Sequence, residues 1–129
     1  MKIGLDVHGV VDTFPSFFAE MSKLFVEAGH EVHIIIGLRQ KEIEPELEKL
    51  GIRWTHFFSM TDYHEGRGTP MTYGPKNNPW MNKDDWERTK GDYARNVGLD
   101  IHFDDSNTYG KYFFYTDYIR IEGIKADDR

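Results

Sequence analysis

Short apolar runs alternate along the chain with longer segments of helical spacing. Lys2 to Val7 reads as a strand that ends at a polar, glycine-containing turn. From Phe14 to Ala28 the residues Phe17, Phe18, Met21, Leu24 and Phe25 recur at helical intervals, and Gly29 is placed to stop that helix. Glu31 to Ile36 holds Val32 and three consecutive isoleucines, the mark of a strand covered on both faces. Gln40 to Leu50 predicts a charged helix with Ile43, Leu47 and Leu50 on one side, closed by Gly51, and Ile52 to Phe58 predicts a third strand. From Ser59 to Asn82 glycines and prolines break every period, which predicts a long loop over 59–82. Its aromatics Tyr63, Tyr73 and Trp80 argue against simple disorder. A helix over Asp84 to Asn96 follows, then a fourth strand over Asp100 to Phe103 that runs into Asp104-Asp105-Ser106-Asn107. The stretch from Tyr112 to Ile121 has room for a last, edge strand, and the tail from Lys125 to Arg129 reads as frayed.

Strand–helix–strand alternation with short connections predicts an α/β fold: a three-layer sandwich with a mostly parallel, Rossmann-like sheet, in one domain over residues 1–129. In such sheets ligands bind beyond the carboxyl ends of the strands. Composition narrows the function further. A net charge of −6 repels phosphate backbones and argues against non-specific nucleic-acid binding, although a bound divalent cation can reverse the local sign. The absence of cysteine excludes disulfide frameworks, thiolate zinc sites and thiol catalysis. No apolar run is long enough to span a bilayer, and Asp6 falls where a signal peptide needs apolar residues, so the expectation is a cytoplasmic protein with no membrane partner.

The strand ends carry the chemistry. Asp6-Val7-His8-Gly9-Val10-Val11-Asp12 follows strand one, Gly37-Leu38-Arg39 follows strand two, and Asp104-Asp105 follows strand four. Lys90 lies near the start of the helix before strand four. Asp6, Asp104 and Asp105 then converge on one rim, with Lys90 and Arg39 as nearby cations. Crowded carboxylates repel unless neutralised, and an all-oxygen site of this kind suits Mg²⁺. One aspartate stays available as a nucleophile towards phosphorus, with lysine and metal offsetting the charge of the transferring phosphoryl group. Asp12 reads as structural, an N-cap for the following helix near Thr13 and Ser16. His33, His56, His64 and His102 lack the spacing of a helical metal face, so a histidine metal site is the minor reading.

The Asp6–Asp12 segment after an apolar strand resembles the first motif of the haloacid dehalogenase-like hydrolase superfamily. Phe103-Asp104-Asp105-Ser106 resembles its acidic fourth motif, Lys90 falls at its motif-three lysine, and Ile34-Ile35-Ile36-Gly37-Leu38-Arg39 resembles its second motif. The resemblance covers about residues 1 to 112 in order. It implies strand order 3-2-1-4-5 and Mg²⁺-dependent hydrolysis of a phosphomonoester, carried by a small molecule or a macromolecule. Asp6 would be the nucleophile, forming an aspartyl-phosphate. Asp6, the backbone carbonyl of His8 and one of Asp104 or Asp105 would hold Mg²⁺. Gly37, Leu38, Arg39 and Lys90 would meet the phosphate.

Two positions depart from that pattern. His8 stands where the superfamily carries its acid/base aspartate, and Gly37 where it carries a phosphate-binding Thr or Ser. Histidine can transfer protons near neutral pH, whereas Gly37 offers only its backbone N–H. The alternative is therefore a catalytically weak phosphate- or Mg²⁺-binding protein on the same scaffold. A receiver domain phosphorylated by a kinase is a third reading, disfavoured because its acidic pair belongs after strand one. The short first connection and the 59–82 loop imply a nearly capless member. Such members take macromolecular substrates or close the site with a neighbouring subunit of a homo-oligomer. Tyr63, His64, Arg67, Tyr73 and Lys76 are the candidate contacts from that loop.

Overall fold

The computed structural model describes residues 1–123, so the tail from Lys125 to Arg129 lies outside the described residues. Five parallel strands form one sheet: β1 (Lys2–Leu5), β2 (Glu31–Ile36), β3 (His56–Ser59), β6 (Ile101–Asp104) and β7 (Asp117–Arg120), in the order β3-β2-β1-β6-β7. This is the 3-2-1-4-5 arrangement expected of the five strands read from the sequence. Four helices connect them: α1 (Pro15–Glu27), α2 (Gln40–Lys49), α3 (Met60–Gly66) and α4 (Lys83–Val97).

Alternation along β2 divides its side chains between the two faces of the sheet. Val32, Ile34 and Ile36 join Ile3, Leu5 and Phe18 in the main core, which α1 and α2 cover through Phe18, Ile43 and Leu47. Each such buried aliphatic side chain contributes about 1.5–3 kcal/mol relative to exposure. Ile35 points the other way and packs with Ala94 of α4 and with Leu99. Helices thus cover both faces, and the fold is an α/β sandwich of the Rossmann-like kind. Among the described residues no helix is long and apolar enough to cross a membrane.

The boundaries explain themselves locally. Pro15 opens α1, where its missing N–H has no intrahelical partner to lose. Asn82 caps α4 by accepting from the Asp85 amide at 3.0 Å, and Gly98 closes it in the left-handed region.

The segment from Ser59 to Asn82 differs from the expected long loop. Its first part is α3, capped by Ser59 Oγ accepting from the Asp62 amide at 3.0 Å. A seven-residue helix is too short for its period to stand out, and Gly66 and Gly68 mask it further. Beyond it, β4 (Thr72–Tyr73) and β5 (Pro79–Trp80) form a small antiparallel hairpin, turned by Lys76 and Asn77 with positive φ. The last strand is shorter than the stretch that predicts it: Tyr112 ends a 3₁₀ turn, residues 113–116 run irregularly, and pairing begins only at Asp117.

Candidate active site

Asp6 directly follows β1, its amide donating to the Phe103 carbonyl at 3.0 Å. The chain then bends through a wide turn over Val7–Val11 in which Gly9 has φ +86°. A side chain at Gly9 is doubly excluded, since its Cβ would lie 2.1 Å from Asp105 Oδ2. The tight bend therefore brings the Asp105 carboxylate against the β1 turn. Asp12 holds this bend from the far side, its Oδ1 accepting from the Gly9 amide at 2.7 Å. Asp12 braces the turn; the N-cap of α1 is Phe14, which makes no side-chain cap, so the expected capping role does not hold.

Lys90 lies halfway along α4 rather than near its start. Its ammonium is 2.8 Å from Asp104 Oδ2 and 3.6 Å from Asp6 Oδ1. Asp104 is fully enclosed and its oxygens are committed: Oδ2 to Lys90 and to His102 Nε2 at 2.9 Å, Oδ1 to the Ser106 amide at 3.1 Å. Asp105 is exposed, and among the described residues its carboxylate carries no hydrogen bond. The adjacent acids thus have different tasks: Asp104 fixes the lysine, and Asp105 faces outward beside Asp6.

The charges tune one another. Burial pushes the Asp6 carboxyl up to about 7, reinforced by Asp104 and Asp105 and opposed by Lys90. Burial alone would also raise Asp104, but the hydrogen bond from His102 and the Lys90 charge hold it well below the usual carboxylate range. Burial disfavours the Lys90 ammonium, yet Asp6 and Asp104 keep it above its ordinary value. His102 is driven downward chiefly by burial, so it is a neutral imidazole at neutral pH. A carboxylate only accepts, which puts the His102 proton on Nε2 and leaves buried Nδ1 bare.

Oxygens of Asp6, Asp104 and Asp105 lie within 4.8 Å of one another. With all three ionised, one lysine leaves two negative charges uncompensated, the charge of one divalent cation. An all-oxygen donor set beside a rigid glycine bend fits Mg²⁺. The group Glu31, His33 and His56 is less suited to a metal. Its two imidazoles stack with centroids 4.3 Å apart and planes within 6°, so their in-plane lone pairs do not converge. His33 is already satisfied by Glu31 at 2.8 Å and by the Tyr93 hydroxyl at 2.6 Å.

Other expected contacts are placed elsewhere. Arg39 turns away to Glu65, with Nε and one Nη at 3.1 and 3.2 Å, and lies over the Tyr73 ring. His64 is buried between α3 and α4, bonded to Thr69 and Thr89, and Tyr63 and Arg67 line a separate cleft with it. Lys76 lies at the tip of the hairpin, in its tight turn. His8 is exposed, with Nε2 3.2 Å from Glu46 Oε2.

Asp6, His8, Gly37 and Leu38 open instead onto a cleft of about 390 Å³ that the residue pattern did not reveal. Its far wall includes Trp80 and Met81 from the hairpin and Trp86 from α4. The Trp86 indole lies 3.3 Å from where a Gly37 Cβ would be, so the ring restricts the space that a threonine or serine would enter. No family model matches the chain, and no curated protein or solved structure matches it either.

Proposed function

We propose that the protein is a haloacid dehalogenase-like hydrolase that cleaves a phosphomonoester, with Asp6 as nucleophile and Mg²⁺ as cofactor. The observation that supports this reading is the division of labour at the carboxyl ends of β1 and β6. Asp6 stands beside a lysine that Asp104 locks in place, while Asp105 stays open on the same rim. A merely structural ion pair would not need the second, outward acid.

In this mechanism an Asp6 oxygen attacks phosphorus in line with the ester oxygen. The Asp6 O–P bond forms, the ester P–O bond breaks, and the leaving oxygen takes a proton. Water then attacks the acyl-phosphate, releasing phosphate and restoring the Asp6 carboxylate. Mg²⁺, held by Asp6, the His8 carbonyl and Asp105, would neutralise oxygens of the transferring group. Lys90 adds positive charge beside Asp6, and its enclosure makes that charge effective because little water screens it. His8 is the proton carrier at the mouth of the cleft, kept in orientation by Glu46.

Phosphate release from a panel of phosphomonoesters, with Mg²⁺ and with chelator, tests the assignment. Release that requires Mg²⁺ and falls at least about 10³-fold in Asp6→Asn supports it, a loss of the size seen when nucleophiles are removed. Release that survives the substitution refutes the role of Asp6. Release from no ester, by protein that still binds Mg²⁺, favours the second reading, a weakly active phosphate- or Mg²⁺-binding protein. The specific observation behind that reading is Trp86 packed against Gly37 where a phosphate-binding hydroxyl would stand.

A further inference from the structure

The cleft that begins at Asp6 is lined mainly by carbon. Leu38 and Ile43 form one side, Trp80, Met81 and Trp86 the other, and the polar side chains Asp6, His8 and Lys83 also line it. Two indoles reach the same space from different elements, Trp80 from β5 and Trp86 from α4. Trp80 is 66% exposed, a large apolar surface left towards solvent. It is nevertheless held in place. β5 pairs Trp80 with Thr72, and the indole lies across Gly74, its Nε1 2.7 Å from the position of a Gly74 Cβ. A fixed, exposed indole offers a flat face at little entropic cost on binding.

We propose that this cleft receives a planar aromatic ring system carried by the phosphorylated substrate, stacked against Trp80 with Trp86 behind it. The inference rests on Asp6 being the reacting group, since the cleft is continuous with its carboxylate and whatever fills it is attached to the phosphate. Flat, uncharged rings match the indole surfaces, and base–aromatic stacking tolerates many ring types. A cleft of about 390 Å³ is also within the size range of small-molecule sites. The ring can belong to a nucleoside or to a simple aryl alcohol, and the test separates the two sources.

The decisive comparison uses esters whose leaving oxygens are alike. Adenosine 5′-monophosphate is set against ribose 5-phosphate, and benzyl phosphate against glycerol 3-phosphate, with Mg²⁺ present. The expected result is a kcat/KM at least about tenfold higher for the ring-bearing member of a pair, with that ratio falling at least about fivefold in Trp80→Ala. Preference in the first pair alone identifies a nucleoside, and preference in the second alone a simple aryl group. Equal turnover within both pairs overturns the proposal.

A binding arm keeps the cleft testable should no ester be hydrolysed. Saturation-transfer NMR with adenosine and with benzyl alcohol is run on the native protein, Asp6→Asn and Trp80→Ala. Saturable binding to the first two that weakens about tenfold in Trp80→Ala supports the ring site even where the phosphatase assignment fails. Absence of binding by both compounds, or binding indifferent to Trp80, overturns it. Because Trp80 is mostly exposed, its removal leaves the core intact, and unchanged near-native melting confirms that the loss is local.

Discussion

Along β2, Val32, Ile34 and Ile36 pack beneath α1 and α2, whereas His33 meets Tyr93 of α4 from the other side of the sheet. β6 repeats the division. Ile101 and Phe103 join the apolar core, while His102 and Asp104 are on the α4 side with Lys90. One side of the sheet is therefore held by apolar packing, aliphatic and aromatic, which is insensitive to pH. The other is held partly by a chain of polar groups, His102–Asp104–Lys90–Asp6, that ends at the Asp6 carboxylate. Apolar packing and buried charge are divided between two layers of one small sandwich, and the polar layer is where a change in charge is felt.

Substitutions sharpen that contrast. The largest effect is expected of Lys90→Met, which leaves Asp104 enclosed with its cation removed. Denaturant unfolding should show a loss of about 3–5 kcal/mol, and a loss below about 1 kcal/mol would show that the polar layer does not depend on this pair. Ile34→Ala opens a cavity in the apolar layer and should cost about 3 kcal/mol, equally at each pH. A cost that varies with pH would break the proposed independence of the two layers.

Acid should act on the polar layer. His33 is pushed downward, first by burial, and His102 likewise, so at these two positions the unfolded chain binds more protons than the folded one below about pH 6.5, whereas the raised Asp6 carboxyl acts in the opposite sense. The two histidines contribute stability above that value which is lost as pH falls. In an Asp6→Asn background, which removes the opposing proton uptake of the carboxyl raised to about 7, unfolding free energy between about pH 7.5 and 5 should decline, and His33→Phe should flatten the decline while His102 retains the rest. A steeper slope in the variant would reverse the sign argued here. The smallest effect belongs to Arg39→Ala. Its pairing with Glu65 is on the surface, and thermal melting should register less than about 1 kcal/mol.

Much of this was legible in the residues. The five strands and three of the helices follow from apolar runs and stops, their order follows from the resemblance, and the acids at the strand ends stand out by type and place. The split between Asp104 and Asp105 was not legible, because adjacent residues at a strand end point to opposite sides and nothing in their identity says which is enclosed. A signal for His102 did exist. Two residues before Asp104 in the same strand, it must share that residue's face. The aromatic cleft left no such trace. Trp80 and Trp86 belong to different elements, and only the hairpin fold of a segment without periodicity brings them to one cleft. The Arg39–Glu65 pair left no trace for a related reason: Glu65 sits on α3, a helix whose seven residues showed no period, whereas the pairing of Arg39 with Glu42 was one of the readings open from the residues.

The position of β1 between β2 and β6 has a consequence for how the chain assembles. The first strand is the middle of the sheet, and its far neighbour is made only near the end, as the bond from the Lys2 amide to Asp100 across 98 residues illustrates. During synthesis Asp6 and the α1–α2 layer can collapse early, yet the acids and the lysine that complete the site arrive last. Such non-local closure slows folding, and it leaves the open edge of β1 to be covered only when β6 arrives. Ribosome-bound chains arrested before residue 100 should accordingly be protease-sensitive along β1, and protection should appear abruptly once β6 has emerged.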